Sequence, residues 1–131
     1  METIKQRLDG DCAVCVTAMF LGKTYNEIVN LFPEVKDGFL HGTRSEVEVC
    51  LLFGVALECK SYPGAVDKTY YGMDKSKPAM IAVMSMNRID TLHSLYWDGE
   101  KIHDPSNLKC YDKEFPDQAY VEYILQAVGI A

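Results

Sequence analysis

Apolar residues in the first half of the chain recur at helical spacing in three segments, which polar and glycine residues separate. The first segment has Asp11 where a helix N-cap belongs and Gly22 where such a helix would end. The pattern therefore predicts three short helices. The segments are DCAVCVTAMFLG (11–22), TYNEIVNLF (24–32) and TRSEVEVCLLFG (43–54).

The second and third segments begin with the same short motif. Thr24 and Glu27 have the spacing of a capping box, in which two side chains satisfy N–H groups at a helix start. Thr43 and Glu46 repeat this spacing, and Gly54 follows as a stop signal. These signals place the starts of two helices at Thr24 and Thr43.

The second half of the chain changes to strand-like patterns. VALEC (55–59) predicts a short strand, and 60–77 is a loop rich in Tyr, Gly and Lys. The apolar run PAMIAVMSM (78–86) predicts a central strand, and TLHSLYWDGEKIHDP (91–105) predicts a hairpin that turns at Asp-Gly. The last segment, DQAYVEYILQAVG (117–129), has helical spacing and predicts a terminal helix capped by its first residue.

Helices followed by strands predict an α+β domain, with the N-terminal helices packed on a C-terminal antiparallel sheet. The length of 131 residues suits one domain spanning residues 1–131, and 48% hydrophobic residues suffice for a core. A net charge of −6 without a Lys/Arg cluster excludes nucleic acid as an expected partner. The apolar runs are too short for a membrane span, and the polar N-terminus lacks the plan of a signal peptide. We therefore expect a cytoplasmic protein without a membrane partner.

Two of the five cysteines, Cys12 and Cys15, have a spacing that redox pairs and zinc half-sites share. The odd total and the low number predict reduced thiols rather than a disulfide scaffold. A thioredoxin-like pair would need a preceding βα unit, and the residues before Cys12 do not form an apolar strand pattern. A zinc site would need a second CxxC or a His pair at ligand spacing. Neither a metal nor another cofactor is expected.

The hairpin pattern brings a histidine and a carboxylate together. A two-residue turn at Asp-Gly would place His93 opposite Asp104 on one face, with Cβ atoms roughly 4.5–5.5 Å apart. That distance lets a carboxylate hold an imidazole in one tautomer and orientation. His103 falls on the other face, opposite Ser94, and is expected to be exposed. The same register pairs Trp97 with Glu100 and Leu95 with Ile102.

The third chemical group is a thiol at a helix start. Cys12 would lie in the first turn, where the positive end of the helix dipole favours a thiolate. Cys15 lies one turn further along an apolar segment and is expected in the core. Gln6 precedes Cys12 by six residues, and its amide is suited to donate a hydrogen bond to an oxyanion, with the N–H of Cys12 as second donor.

The order of these residues resembles that of papain-like cysteine peptidases. The motifs Q-x4-DC, AMFLG and H…WDGEKIHDPS, within residues 6–107, are most similar to the peptidase C39-like family. The resemblance implies a papain-like fold and a peptide or protein substrate. It also implies Cys12 as nucleophile, His93 as general acid and base, Asp104 as the group that orients His93, and Gln6 in the oxyanion hole.

Two other functions remain open at this level. The same triad would serve another acyl transfer, such as transamidation or hydrolysis of a small amide, because specificity resides in the cleft. Ala13 stands where these peptidases usually have glycine, which is compatible with a catalytically idle module that binds a peptide or partner protein. Reactivity of Cys12 that depends on His93 discriminates an enzyme from a binding module.

Overall fold

The computed structural model describes residues 2–7, 10–32, 42–61, 74–84, 92–106 and 121–128. Helices come first along the chain and an antiparallel sheet follows, so the α+β class predicted from the sequence agrees with the structure. The helices are α1 (Cys12–Leu21), α2 (Tyr25–Val29) and α3 (Gly42–Leu52). The strands are β1 (Leu57–Ser61), β2 (Ala79–Met84), β3 (Leu92–Trp97), β4 (Ile102–His103) and β5 (Val121–Ala127), in the spatial order β1-β5-β2-β3-β4.

The boundaries of α1 and α2 follow the signals in the sequence. Gly22 ends α1 with a left-handed conformation (φ 68°), which a residue without Cβ adopts at little cost. Thr24 and Glu27 form the predicted capping box at the start of α2. Asp11 occupies the N-cap position of α1, but its side chain makes no capping hydrogen bond. Its backbone (φ −98°, ψ 18°) is not extended as in most N-caps, so the carboxylate is directed elsewhere.

The capping box predicted at the start of α3 is wrong. The helix begins at Gly42, so Thr43 lies inside it, and Glu46 is a buried residue with only 2% of its surface exposed. The Glu46 Oε1 atom accepts a hydrogen bond from the Tyr123 hydroxyl of β5 at 3.3 Å. The predicted stop is confirmed, because α3 ends at Leu52 and Gly54 has a positive φ of 78°.

Burial makes Glu46 a pH-dependent element of the core. Burial raises the pKa of Glu46 from 4.5 to about 8, although the hydrogen bond from Tyr123 opposes this. The folded protein therefore keeps a proton that the unfolded chain has lost, and stability falls as pH rises from 4.5 towards 8. We expect Glu46→Gln to raise the free energy of unfolding at pH 7 by on the order of 1–3 kcal/mol.

Urea denaturation of the Glu46→Gln protein between pH 4.5 and 8 checks this expectation. The variant should show a flatter dependence of unfolding free energy on pH than the wild type. Glu48→Gln on the exposed side of α3 is the matched control and should follow the wild-type curve. An unchanged slope in Glu46→Gln would mean that this carboxyl group is not the source of the dependence.

The strand β2 is central, as the apolar run predicts, but the terminal segment is a strand and the predicted helix is wrong. The strand β5 pairs antiparallel with both β1 and β2. Tyr123 and Leu125 pack with the helix-side cluster, whereas Ile124 packs with the cluster on the other face of the sheet. A strand that is buried on both faces has no polar alternation, and its apolar spacing cannot be distinguished from that of a helix.

The hairpin between β3 and β4 forms with a register two residues from the predicted one. Trp97 pairs with Ile102 and Tyr96 pairs with His103, so four residues, 98–101, form the turn. The Asp98 Oδ1 atom stabilises this longer turn by accepting hydrogen bonds from the N–H groups of residues 100 and 101, each at 2.8 Å. A slip by two residues keeps every side chain on its predicted face.

His103 is buried with 2% exposure, so its predicted exposure is wrong. Its ring Nδ1 lies 2.8 Å from the Thr3 hydroxyl, and its Nε2 lies 2.7 Å from Asp98 Oδ2. The face that carries His103 also carries Tyr96, whose cluster packs against α1 residues such as Met19. Both faces of β3 are therefore covered, and alternation along the strand does not separate buried from exposed positions.

Of the helices within the described residues, none combines the length and apolar character required to cross a membrane.

The helices pack on one face of the sheet through α1. The cluster between α1, α3 and the sheet consists of Val16, Met19, Cys50, Met80, Ala82, Tyr96, Tyr123 and Leu125. This packing fixes the N-terminus of α1 relative to β3, the two elements that carry the predicted thiol and imidazole.

Candidate active site

The predicted contact between the His93 ring and the Asp104 carboxylate is present, although the observed register does not place the two residues directly opposite each other. His93 Nε2 lies 2.6 Å from Asp104 Oδ1, and the two residues are only 7% and 4% exposed. The same Oδ1 atom accepts a hydrogen bond from the backbone N–H of Ser106 at 2.8 Å. The carboxylate is thus fixed by the chain that follows it and in turn fixes the imidazole ring.

Cys12 is the first residue of α1 and is half-buried, and its thiol lies close enough to the His93 ring to help raise the pKa of that ring. Since Nε2 of His93 is bound to Asp104, Nδ1 is the ring nitrogen that remains for the thiol. The structure therefore brings thiol, imidazole and carboxylate together in the order predicted from the sequence. The backbone N–H of Cys12 belongs to the first turn, where N–H groups have no acceptor within the helix.

The surroundings of His93 favour its protonated form. Burial lowers the pKa of His93, but the hydrogen bonds and negative charges of Asp104 and Cys12 outweigh this and raise it to about 9. At neutral pH, and at any pH below about 9, the imidazole of His93 therefore carries a proton beside the thiol. An imidazolium next to a thiolate is the ion pair that activates a cysteine nucleophile.

Gln6 lies in an N-terminal segment that the chain around Asp104 holds in place. The Gln6 N–H donates to the Pro105 carbonyl at 2.8 Å. The Lys5 ammonium donates to the carbonyl oxygens of Asp104 and Ser106 at 2.9 and 3.1 Å. These contacts place the backbone of Gln6 beside the carboxylate end of the predicted triad, and the role of its amide in an oxyanion hole remains a prediction.

A cluster of polar groups around the buried Asp11, next to Cys12, was not predicted. Asp11, fully buried, accepts hydrogen bonds from the Tyr25 hydroxyl at 2.7 Å and from the Arg7 backbone N–H at 3.1 Å. The Arg7 guanidinium lies 4.2 Å above the Tyr25 ring and donates to Asn26 Oδ1 at 2.9 Å. The only feature of the sequence that pointed to this cluster was the carboxylate of Asp11 beside Cys12. It was interpreted as a helix N-cap, which requires neither Arg7 nor Tyr25 as a partner.

The other cysteines differ from Cys12. Cys15 is fully buried, as predicted, and burial together with the charge of Asp11 raises the pKa of its thiol. A thiol that resists ionisation is a poor redox or zinc partner for Cys12. Cys50 is buried and Cys59 is exposed, while Cys110 and His41 lie outside the described residues.

Among the residues that the structure describes, no group of three His, Cys, Asp or Glu side chains is arranged to hold a metal ion. Searches with the sequence found no matching protein-family model and no significantly similar curated protein.

Proposed function

We propose that this protein is a thiol hydrolase, a cysteine peptidase of the papain-like, C39-like type, that cleaves a peptide or isopeptide bond. The observation that carries the proposal is the placement of the Cys12 thiol, at the N-terminus of a ten-residue helix, beside a His93 ring that lies 2.6 Å from the Asp104 carboxylate. A buried imidazole with a raised pKa, between a thiol and a fixed carboxylate, has the arrangement that nucleophilic catalysis requires.

The reaction begins with attack of the Cys12 thiolate on the substrate carbonyl carbon. The C–S bond forms as the carbonyl π electrons move to oxygen, and the resulting oxyanion receives hydrogen bonds from the Cys12 N–H and the Gln6 amide. Collapse of this intermediate breaks the C–N bond, and His93 donates its proton to the leaving amine. The products of this half-reaction are the free amine and a thioester on Cys12.

Water completes the cycle by the reverse sequence of proton transfers. Neutral His93 takes a proton from the water molecule, whose oxygen attacks the thioester carbon. The second intermediate expels the Cys12 thiolate, and the carboxylic acid product leaves. Asp104 keeps the same His93 tautomer through both halves by holding Nε2, so that Nδ1 exchanges the proton.

The test is the rate of alkylation by iodoacetamide at neutral pH, with the labelled residue identified by mass spectrometry. We expect rapid labelling of Cys12 in the wild type and slow labelling in His93→Gln, because the imidazolium stabilises the thiolate. His103→Gln is the matched control, since His103 is also buried and also paired with an aspartate. Circular dichroism melts establish that both variants are folded.

The outcomes separate the proposed enzyme from its rivals. His93-dependent labelling of Cys12 together with cleavage in a peptide library would support a peptidase. The same labelling with transfer to an added amine in place of cleavage would favour a transamidase. Labelling that is equally slow with and without His93 would contradict the enzyme and favour a module that binds peptides.

A further inference from the structure

The segment 5–7 connects the two halves of the proposed active site. On one side, Lys5 and Gln6 bind the backbone of residues 104–106 through three hydrogen bonds of 2.8–3.1 Å. On the other side, the N–H of Arg7 donates to the carboxylate of Asp11, which is bonded covalently to Cys12. Hydrogen bonds therefore fix the chain on both sides of Gln6, to the backbone around Asp104 on one side and to Asp11, next to Cys12, on the other.

The second of these attachments, at Asp11, involves a single buried carboxylate oxygen. The Oδ2 atom accepts both the Arg7 N–H and the Tyr25 hydroxyl, and Tyr25 is itself buried in α2. Gly10, directly before Asp11, has a positive φ of 89°, which a residue without Cβ adopts at little cost. This side chain does not cap α1 and instead joins the Arg7 N–H, next to Gln6, to the Tyr25 hydroxyl of α2.

The two hydrogen bonds hold the buried Asp11 carboxyl group between the Arg7 N–H and the Tyr25 hydroxyl. The contribution of this side chain is therefore geometric, because it ties residue 7, which follows Gln6, to residue 11, which precedes Cys12.

We infer that Asp11, held by Tyr25, is a positioning residue that sets the Gln6 amide against the Cys12 N–H to form the oxyanion hole. The inference rests on the proposed function, since an oxyanion hole has meaning only for acyl transfer. Asp11 does not touch the reacting atoms in this scheme, and it acts on the reaction through Gln6.

Two probes distinguish an effect on the oxyanion hole from an effect on the thiolate. Acylation of Cys12 by p-nitrophenyl acetate develops an oxyanion, whereas alkylation by iodoacetamide proceeds at a tetrahedral carbon and develops none. For Asp11→Ala we expect acylation to slow by roughly 10- to 100-fold. Alkylation should be no slower than in the wild type. Asp11→Asn retains an oxygen acceptor and should recover most of the acylation rate.

A double-mutant cycle tests whether Asp11 acts through Gln6. Gln6→Ala should slow acylation to a similar extent, and the Gln6→Ala/Asp11→Ala protein should be no slower than either single variant. Tyr25→Phe keeps the ring under Arg7 but removes one hydrogen bond, so it should give a smaller loss in the same direction. Should Asp11→Ala not fold, Tyr25→Phe combined with Gln6→Ala supplies the same cycle.

The control is Asn26→Ala, which loses only the exposed contact with Arg7 and should match the wild type.

Each adverse result has a distinct meaning. Equal loss of acylation and alkylation in Asp11→Ala, or independent losses in the double variant, would overturn the positioning role and leave the proposed function standing. If Asp11→Ala and Tyr25→Phe are both acylated as fast as the wild type, the positioning role would also be overturned and the proposed function would stand. Absence of Cys12-dependent acylation in the wild type would overturn the proposed function itself and, with it, this inference.

Discussion

Replacing Cys12 with alanine is expected to reduce the release of p-nitrophenol from p-nitrophenyl acetate by roughly 10³-fold or more. The reason is that the acyl group is transferred to this sulfur, and among the described residues no other thiol lies against a paired imidazole. Hydrolysis is followed by absorbance, and the acylated residue is identified by mass spectrometry of the trapped thioester.

Cys15→Ala is the matched control for this experiment. Cys15 lies in the same helix one turn below, but it is fully buried, and burial first of all raises the pKa of its thiol. We expect this variant to retain the wild-type rate, with a modest loss of stability because a small cavity replaces the sulfur. Retained turnover in Cys12→Ala, or its loss in Cys15→Ala, would contradict the assignment of the nucleophile.

The pairing of His93 with Asp104 was predictable although the turn between them was not. The sequence favours a two-residue turn at Asp-Gly, whereas the structure has a four-residue turn closed by the Asp98 side chain. Side chains alternate with a period of two, so this slip leaves His93 and Asp104 on one face and within reach along a diagonal. Face-sharing is therefore a more robust prediction than register.

The same property explains why the terminal segment was misassigned. In β5, Ile124 faces one apolar cluster and its neighbours Tyr123 and Leu125 face the other. Such a strand has buried side chains at successive positions, and nothing local distinguishes it from an apolar helix. Its pairing with β1 and β2 depends on residues tens of positions away, which a local pattern does not contain.

The cluster around Asp11 shows a different limit of sequence interpretation. An aspartate before an apolar helical segment has the signature of an N-cap, and α1 does begin at the next residue. The partners of its carboxylate, Arg7 and Tyr25, come from either side of the nucleophile and form no recognised motif. The position of Asp11 at the start of a helix was thus predictable, but the hydrogen bonds that its side chain forms there were not.

Removing Asp104 is the second change for which we expect a large effect. Asp104→Ala leaves the His93 ring without the acceptor that fixes its orientation, and an ill-placed general acid costs roughly 10²-fold in rate. The measurement is kcat/KM for an amide substrate taken from a peptide library. Asp104→Asn keeps an oxygen acceptor for Nε2 and for the Ser106 N–H, so its loss should be smaller.

The pH profile of Asp104→Asn reports how the charge of Asp104 affects protonation of His93. Burial alone lowers the pKa of His93, and the hydrogen bonds and charges of Asp104 and Cys12 raise it to about 9. Removal of one negative charge lowers this pKa, so the alkaline limb, where the proton donor is lost, should move to lower pH. Asp98→Asn alters the corresponding partner of His103 and should leave the limb in place. An unmoved limb in Asp104→Asn would mean that His93 does not supply the proton, because its charge and that of Asp104 are coupled across only 2.6 Å.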